Sequence, residues 1–472
     1  MANSSRDPYW QASVRRESID HPESQRAIED ECSICHMPIP RYEARQQGRQ
    51  GEIFTHLPLD SDDPAKKQAA DGVSCSVCHQ ISDEKLGTRE SFNGGFVIDK
   101  PDSNGARPEY GPFEIEKGQT RIMQTSTGGF QPNEKKHIQK SELCATCHTL
   151  FTKALGAGGK ELAVFPEQMP YQEWLHSDFR EKESCQSCHM PVVKEPVRIT
   201  RVLGVPREGL SRHEFVAANF FMQRMLNRYR DDLSVIAQPE ELTAAAERTV
   251  SFLQSKSAKL SIGALEMRGG RLETEITVEN LGGHKLPTAY PSRRAWLHFT
   301  VRDGANRVVF ESGALHPDGS IEGNDNDADP KRFEPHYREI RTADQVQIYE
   351  PILKDQNGNV TTALLSAVGY IKDNRLLPRG FDKLTAEPDI AVYGSAAEDP
   401  AFTDAGHRVR YSVAVGNATG PFHVEAELWY EPIGFRWANN LKPYDAAEPK
   451  RFTGYYDATA NGAAVLLVRV ER

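Results

Sequence analysis

Eight cysteines carry the chemistry of this sequence, and all of them lie between Cys32 and Cys188. They fall into four pairs of the form C-x-x-C, and a histidine follows each pair at once: Cys32, Cys35 and His36; Cys75, Cys78 and His79; Cys144, Cys147 and His148; Cys185, Cys188 and His189. C-x-x-C-H is the attachment signal for c-type haem. Two thiols three positions apart add to the two vinyl groups of one porphyrin, and the adjacent imidazole reaches the iron as its proximal axial ligand. Four pairs use all 8 cysteines, leaving none for a disulfide or a free nucleophile. Zinc is the bland alternative, but zinc ribbons set their pairs roughly 15–20 residues apart. Here the gaps from Cys35 to Cys75, Cys78 to Cys144 and Cys147 to Cys185 are 40, 66 and 38 positions. Zinc also gives no reason for a histidine after every pair, and dithiol chemistry needs one such motif, not four. The sequence therefore predicts four covalently attached haem c groups.

Each iron then needs a sixth ligand, or it offers an open coordination site. Of the 15 histidines, 4 are proximal and eleven remain. His56 and His137 each precede a motif by a short stretch of chain, and with His213 and His284 they are the preferred distal ligands; His21 and His176 stand next in line. His213 is expected at the second position of a helix opened by a capping box, Ser211-Arg212-His213-Glu214. The helix dipole there disfavours protonation and leaves the imidazole free to ligate. His284 falls in a loop, Gly282-Gly283-His284-Lys285-Leu286-Pro287, between two predicted strands. His298, His316, His336, His407 and His423 read as structural. Met37 and Met190 follow proximal histidines directly and cannot reach the opposite haem face, while Met123 and Met169 are remote candidates.

The remaining composition narrows the class of protein. The 472 residues carry 57 basic and 67 acidic side chains, a formal charge of -10, which does not suit a nucleic-acid partner. No stretch approaches the roughly 18 apolar residues of a membrane-spanning helix. Haem attachment of this kind occurs outside the cytoplasmic membrane, so the expected location is periplasmic or extracellular. The opening residues Met1–Pro8 lack the basic and apolar segments of a signal peptide; a leader removed or replaced is the expected explanation.

Three stretches must position these groups. Residues 1–210 form a predicted tetrahaem domain, mostly irregular and α, whose polar, turn-rich sequence relies on porphyrin for its core and should not fold without haem. Within it Trp10, Ser13, Arg16 and Glu17 recur in spacing as Trp174, Ser177, Arg180 and Glu181, each set ahead of a Cys-His-Met-Pro segment, which suggests an imperfect duplication. Residues 211–257 form a helical connector, with Phe215, Met222, Met225, Leu226, Tyr229 and Leu233 on one face and a second helix beginning at Pro239. Residues 258–472 read as a C-terminal all-β, sandwich-like domain: Leu272, Thr274, Ile276 and Val278 alternate, as do Leu297, Phe299 and Val301, then Val424, Ala426 and Leu428, and Val465–Val470 forms a last strand. Asn324–Asp329 offers oxygen ligands at alternating positions, as calcium loops do, although a hydrated turn is the simpler expectation.

The chain resembles multihaem cytochromes c, and is similar to the tetrahaem electron carrier of ammonia oxidisers. Besides the four motifs, Ser211–Asn219 resembles a His-x-Phe-Val-Gly-x-Asn segment of such proteins, and Gly283–Thr288 resembles their Gly-His-x-x-Pro-Thr segment. In both, the resemblance implies that the histidine, His213 or His284, is a distal ligand. It covers residues 1 to about 290 and implies an electron carrier working between redox partner proteins. The small carriers of that family lack a counterpart to the β domain. Two alternatives come from other classes: a multihaem oxidoreductase acting on a small nitrogen or sulfur compound at an open haem, and a subunit of a homo-oligomer or extracellular filament. Against the enzyme, nitrite reductases of this broad group carry a C-x-x-C-K motif at the catalytic haem, and none occurs here.

Overall fold

The structure is a computed structural model that describes residues 1–59, 62–201 and 203–472. Its first half is built from short helices and three two-stranded sheets, and each cysteine motif sits on a helix: Gln25–His36, Cys75–Gln80, Ser141–His148 and Cys185–His189. On a helix, positions i, i+3 and i+4 share one face. Each motif therefore presents two thiols and an imidazole on the same side. Three of the four helices end at the histidine itself.

The helix Pro8–Asp20 starts where Pro8 follows the cap Asp7, whose carboxylate accepts from the amides of Tyr9 and Trp10. It folds back on Gln25–His36, so that Trp10 stacks on His36 with ring centroids 4.3 Å apart and planes 1° apart. Its other side packs on the C-terminal helix Ala447–Asp457 through Tyr9 against Phe452 and an Arg15–Glu448 ion pair at 2.8 Å. The two ends of the chain thus meet.

The expected connector differs at its start. No helix begins at Ser211; residues 211–219 run irregularly and the helix is Phe220–Arg228. Backbone pairing with the last motif outcompetes the capping box. The Val216 amide donates to the His189 carbonyl at 3.0 Å, and Arg212 and Val193 bond across Pro191 and Leu210. His213 accordingly lies in a strap, not at a helix N-terminus. The second helix, Pro239–Lys256, does begin at Pro239, with a capping box formed by Gln238 and Glu241.

Beyond Ala258 two sheets pack face to face. One orders the strands Val308–Ser312, Arg294–Arg302, His423–Glu431 and Val465–Glu471; the other orders Glu339–Ile340, Gly406–Ala414, Arg271–Asn280 and Ala258–Ile262. In Arg271–Asn280 the buried residues alternate through Leu272, Thr274, Ile276, Val278 and Asn280. Phe299 of the first sheet stacks on Tyr411 of the second at 3.8 Å, across the interior. A single apolar cluster runs from Tyr9, Phe151 and Phe165 through Phe220, Met225 and Leu253 into both sheets. The helical and β parts therefore share one core. A second, smaller cluster of Val14, Ile28, Met37, Ile53 and Leu59 lies beside the first motif.

The two copies of the suggested duplication each pair arginine with the following glutamate but differ around their tryptophans. Trp10 stacks on a motif histidine, whereas Trp174 stacks on Tyr171 at 5.6 Å. The Asn324–Asp329 loop forms a short helical turn in which two of the three carboxylates are paired: Asp327 with Arg294 at 2.8 Å and Asp325 with Arg332 at 2.6 Å. Those carboxylates face guanidinium groups, so the calcium reading is dropped.

Candidate functional site

The four motifs converge. The Cys185 amide donates to Ser141 Oγ, at the head of the third motif's helix, at 3.0 Å, and Cys35, Cys78, Cys144, Cys147 and Cys185 lie near enough for each to bear on another's charge. None of the eight cysteines is paired in a disulfide.

The segment around Gly94 ties the first motif to the third. Its amide donates to the Thr146 carbonyl at 2.6 Å, and Asn93 exchanges side-chain hydrogen bonds with the Phe151 backbone. A Cβ at Gly94 would stand 1.9 Å from Ile34 Cγ2, and the residue has a φ of +69°. Only glycine satisfies both conditions.

Tautomer is set by backbone carbonyls, which can only accept. His36 Nδ1 donates to Ser4 O at 3.0 Å, His79 Nδ1 to Tyr110 O at 2.6 Å, and His189 Nδ1 to Val216 O at 2.6 Å. Each donation leaves Nε2 with its lone pair, the usual arrangement behind a metal-ligating imidazole. Burial holds His36 and His148 at about 4, and burial and the neighbouring His284 lower His189, so all three are neutral near pH 7.

Two of the predicted distal histidines face proximal ones. The rings of His79 and His213 have centroids 6.0 Å apart with planes 29° apart. Those of His189 and His284 are 6.1 Å apart with planes 4° apart. Two imidazoles binding one metal atom from opposite sides, each at about 2.0 Å through nitrogen, have centroids about 6 Å apart. His284 also donates from Nδ1, to Lys285 O at 2.9 Å. Both pairs therefore fit a shared iron.

The other candidates are placed differently. His137 is buried and donates from Nε2 to Ile81 O at 2.8 Å, which leaves its Nδ1 buried and without a partner. His21 Nε2 is likewise buried and unpartnered. His56 lies half-buried on the turn Phe54–His56. His176 turns away to donate from Nε2 to Asp382 O at 3.0 Å, in the β part. The unpaired nitrogens of His21 and His137 are signals that only the tertiary structure carries.

One cluster outside the motifs has metal-ligand residue types. His336, Asp399 and His407 lie buried together, with Nε2 of the two histidines 3.0 and 3.4 Å from Asp399 Oδ2. The hydrogen bonds show how it is wired. Gln347 Oε1 accepts from the Tyr337 amide and Asn374 Oδ1 from the Glu350 amide, so both side chains turn NH₂ toward His336 Nδ1. His336 Nδ1 must accept, and Nε2 carries the proton that Asp399 receives. An imidazole wired this way has no Nε2 lone pair to give a metal.

No family model matches the sequence, and no curated protein is similar enough in sequence to match. Among solved structures the fold is similar to a penta-heme cytochrome c552 from Thermochromatium tepidum, with a TM-score of 0.50 and 16% identity over 93% of this chain and 83% of that one. At that identity the likeness is one of fold. Among the described residues no helix is long and apolar enough to cross a membrane.

Proposed function

We propose that this chain is an exported tetrahaem c-type cytochrome that carries electrons between redox partner proteins in the periplasm or outside the cell. The observation that carries the proposal is the pairing of His79 with His213 and of His189 with His284, each behind a C-x-x-C-H motif. The fold it shares with a penta-heme cytochrome supports the same reading. Haem bound at the four motifs would supply a reversible one-electron iron couple, tuned by axial ligands, burial and hydrogen bonds. The chain's part is to hold each proximal imidazole as the neutral Nε2 ligand and to bring a second imidazole opposite. Bis-histidine ligation gives lower potentials than histidine–methionine ligation. The nearness of the motif cysteines supports closely spaced haems, and so a short path for electron transfer. His137 through Nδ1 is proposed as the ligand to one of the two remaining irons, those of His36 and His148, with His56 and His21 the candidates for the other.

A second reading, a multihaem oxidoreductase, draws on one observation. The ring nearest His36 is Trp10, stacked at 4.3 Å, and among the described ring contacts no histidine faces His36 or His148. An open iron at either position would admit a small nitrogen or sulfur compound. Low-temperature EPR of the oxidised holoprotein, quantified against total haem, separates the readings. Four low-spin ferric haems uphold the carrier. A stoichiometric high-spin signal that shifts with nitrite, hydroxylamine or cyanide replaces it with the enzyme.

A further inference from the structure

His284 sits on the β part of the molecule, yet it faces a histidine of the helical part. Two things hold it there. The first is close packing: a Cβ on Gly283 would be 3.1 Å from Phe179 and 3.4 Å from Trp174, so the loop lies directly against the segment that follows the helix Pro170–Leu175. The second is a buried charge cluster beneath the loop. Lys285 Nζ pairs with Asp373 at 2.8 Å, Arg375 pairs with Asp373 at 2.7 Å, and Arg375 NH1 lies 2.9 Å from Glu173 Oε1. Glu173 and Lys285 are 0% exposed, Asp373 1% and Arg375 5%.

Two carboxylates and two cations balance, so the cluster is neutral as a unit and each charge is satisfied only while the others are present. Glu173 is its single member from the helical part. Besides facing Arg375, it accepts from the Lys285 amide at 3.1 Å and from Thr288 Oγ1 at 2.5 Å. These two donors flank the loop just after His284. The His284 carbonyl accepts from Asn280 Nδ2 at 2.7 Å, and Leu286 pairs with Leu376 through reciprocal backbone bonds of 2.9 Å. Asn280 and Leu376 belong to the β part; among the described residues Glu173 is the one whose side chain hydrogen-bonds the loop's backbone from the helix ahead of the fourth motif.

We infer that Glu173 is a positioning residue that sets where the His284 imidazole stands opposite His189, so that the helical part, through one buried carboxylate, fixes a ligand borne by the β part. This rests on the reading that His189 and His284 bind the same iron. Removing the Glu173 charge leaves two cations against one carboxylate under the loop, and frees the Lys285 amide and Thr288 hydroxyl to shift with His284.

The test uses the oxidised full-length holoprotein and low-temperature EPR quantified per haem. His284→Ala is expected to remove one low-spin signal of the four. Glu173→Gln is expected to shift the largest g value of that same signal and to convert part of it to high spin, a loss that added imidazole reverses, while the other three signals stay put. Glu173→Asp, which keeps the charge, is expected to shift it less. If His284→Ala leaves all signals unchanged, the shared-iron reading fails. If His284→Ala removes a signal that Glu173→Gln leaves unmoved, ligation stands and the positioning role is overturned. Should Glu173→Gln not load haem, Thr288→Ala leaves every charge in place and decides instead: a shift of the same signal supports the inference, and no shift overturns it.

Discussion

A thiol, a second thiol three residues on and an imidazole next to it share a face only if the backbone is helical, and all four motifs are. The distal side obeys no such local rule, because its histidines come from far along the chain. His213→Ala should therefore leave all four attachments intact and turn one haem of four from low-spin to high-spin or to a new ligand set; EPR with haem quantification reads it. A second residue-scale outcome concerns pH. Burial, with His407 close by, lowers His336 to about 3 from 6.5, and its Nδ1 faces two amide donors that leave a second proton no acceptor. Between about 6.5 and about 3 the unfolded chain binds a proton there that the folded protein does not. This site's contribution is thus complete above about 6.5 and is lost as pH falls, by about 1.4 kcal/mol per pH unit at most. His336→Gln should flatten that part of the acid limb in chemical denaturation measured from pH 7 to pH 4.

The helices that carry the second, third and fourth motifs are short, 6, 8 and 5 residues, so the placement of the motifs depends on a few close approaches. Gly94 is the sharpest. Gly94→Ala puts a side chain into a left-handed backbone, at a cost of roughly 1–2 kcal/mol, and drives Cβ into Ile34 beside the first motif. The expected result is a lower melting temperature and under-attachment at Cys32 and Cys35, seen as a three-haem species by intact mass. The strap 211–219 teaches the complementary lesson. Ser211 to Glu214 has the residues of a capping box, but the Val216 amide bonds to His189 of the fourth motif and the Arg212 amide to Pro191 just after it. Local propensity is worth about 1 kcal/mol at an N-cap, and several tertiary hydrogen bonds with burial outweigh it.

The molecule as a whole closes through its ends. Tyr9 of the first helix packs on Phe452 of the last, and Phe452 is fully buried. Phe452→Ala should cost about 3–5 kcal/mol. Because the helix it supports carries Trp10 against His36, the loss should disturb the spectrum of the first haem before that of the fourth. Thermal unfolding followed by absorbance and by EPR checks both parts. Since one apolar cluster runs through the helical part and both sheets, truncation at residue 257 should give an aggregating product, not a smaller cytochrome, as size-exclusion chromatography would show.

The amino-acid sequence by itself determined the four C-x-x-C-H motifs, the alternating strands from Leu272 onward, and His213 and His284 as histidines to watch, because these rest on spacings of a few residues or on short motifs. It determined the helix at Pro239 for the same reason. Only the tertiary structure decided that His213 faces His79 and His284 faces His189, that His21 and His137 keep unpaired buried nitrogens, and that Asp325 and Asp327 are taken by arginines. Only it showed Glu173 meeting Lys285 and Arg375. Those relations join residues tens to hundreds of positions apart, and a buried charge or a lone pair finds its partner only when the whole chain has closed around it.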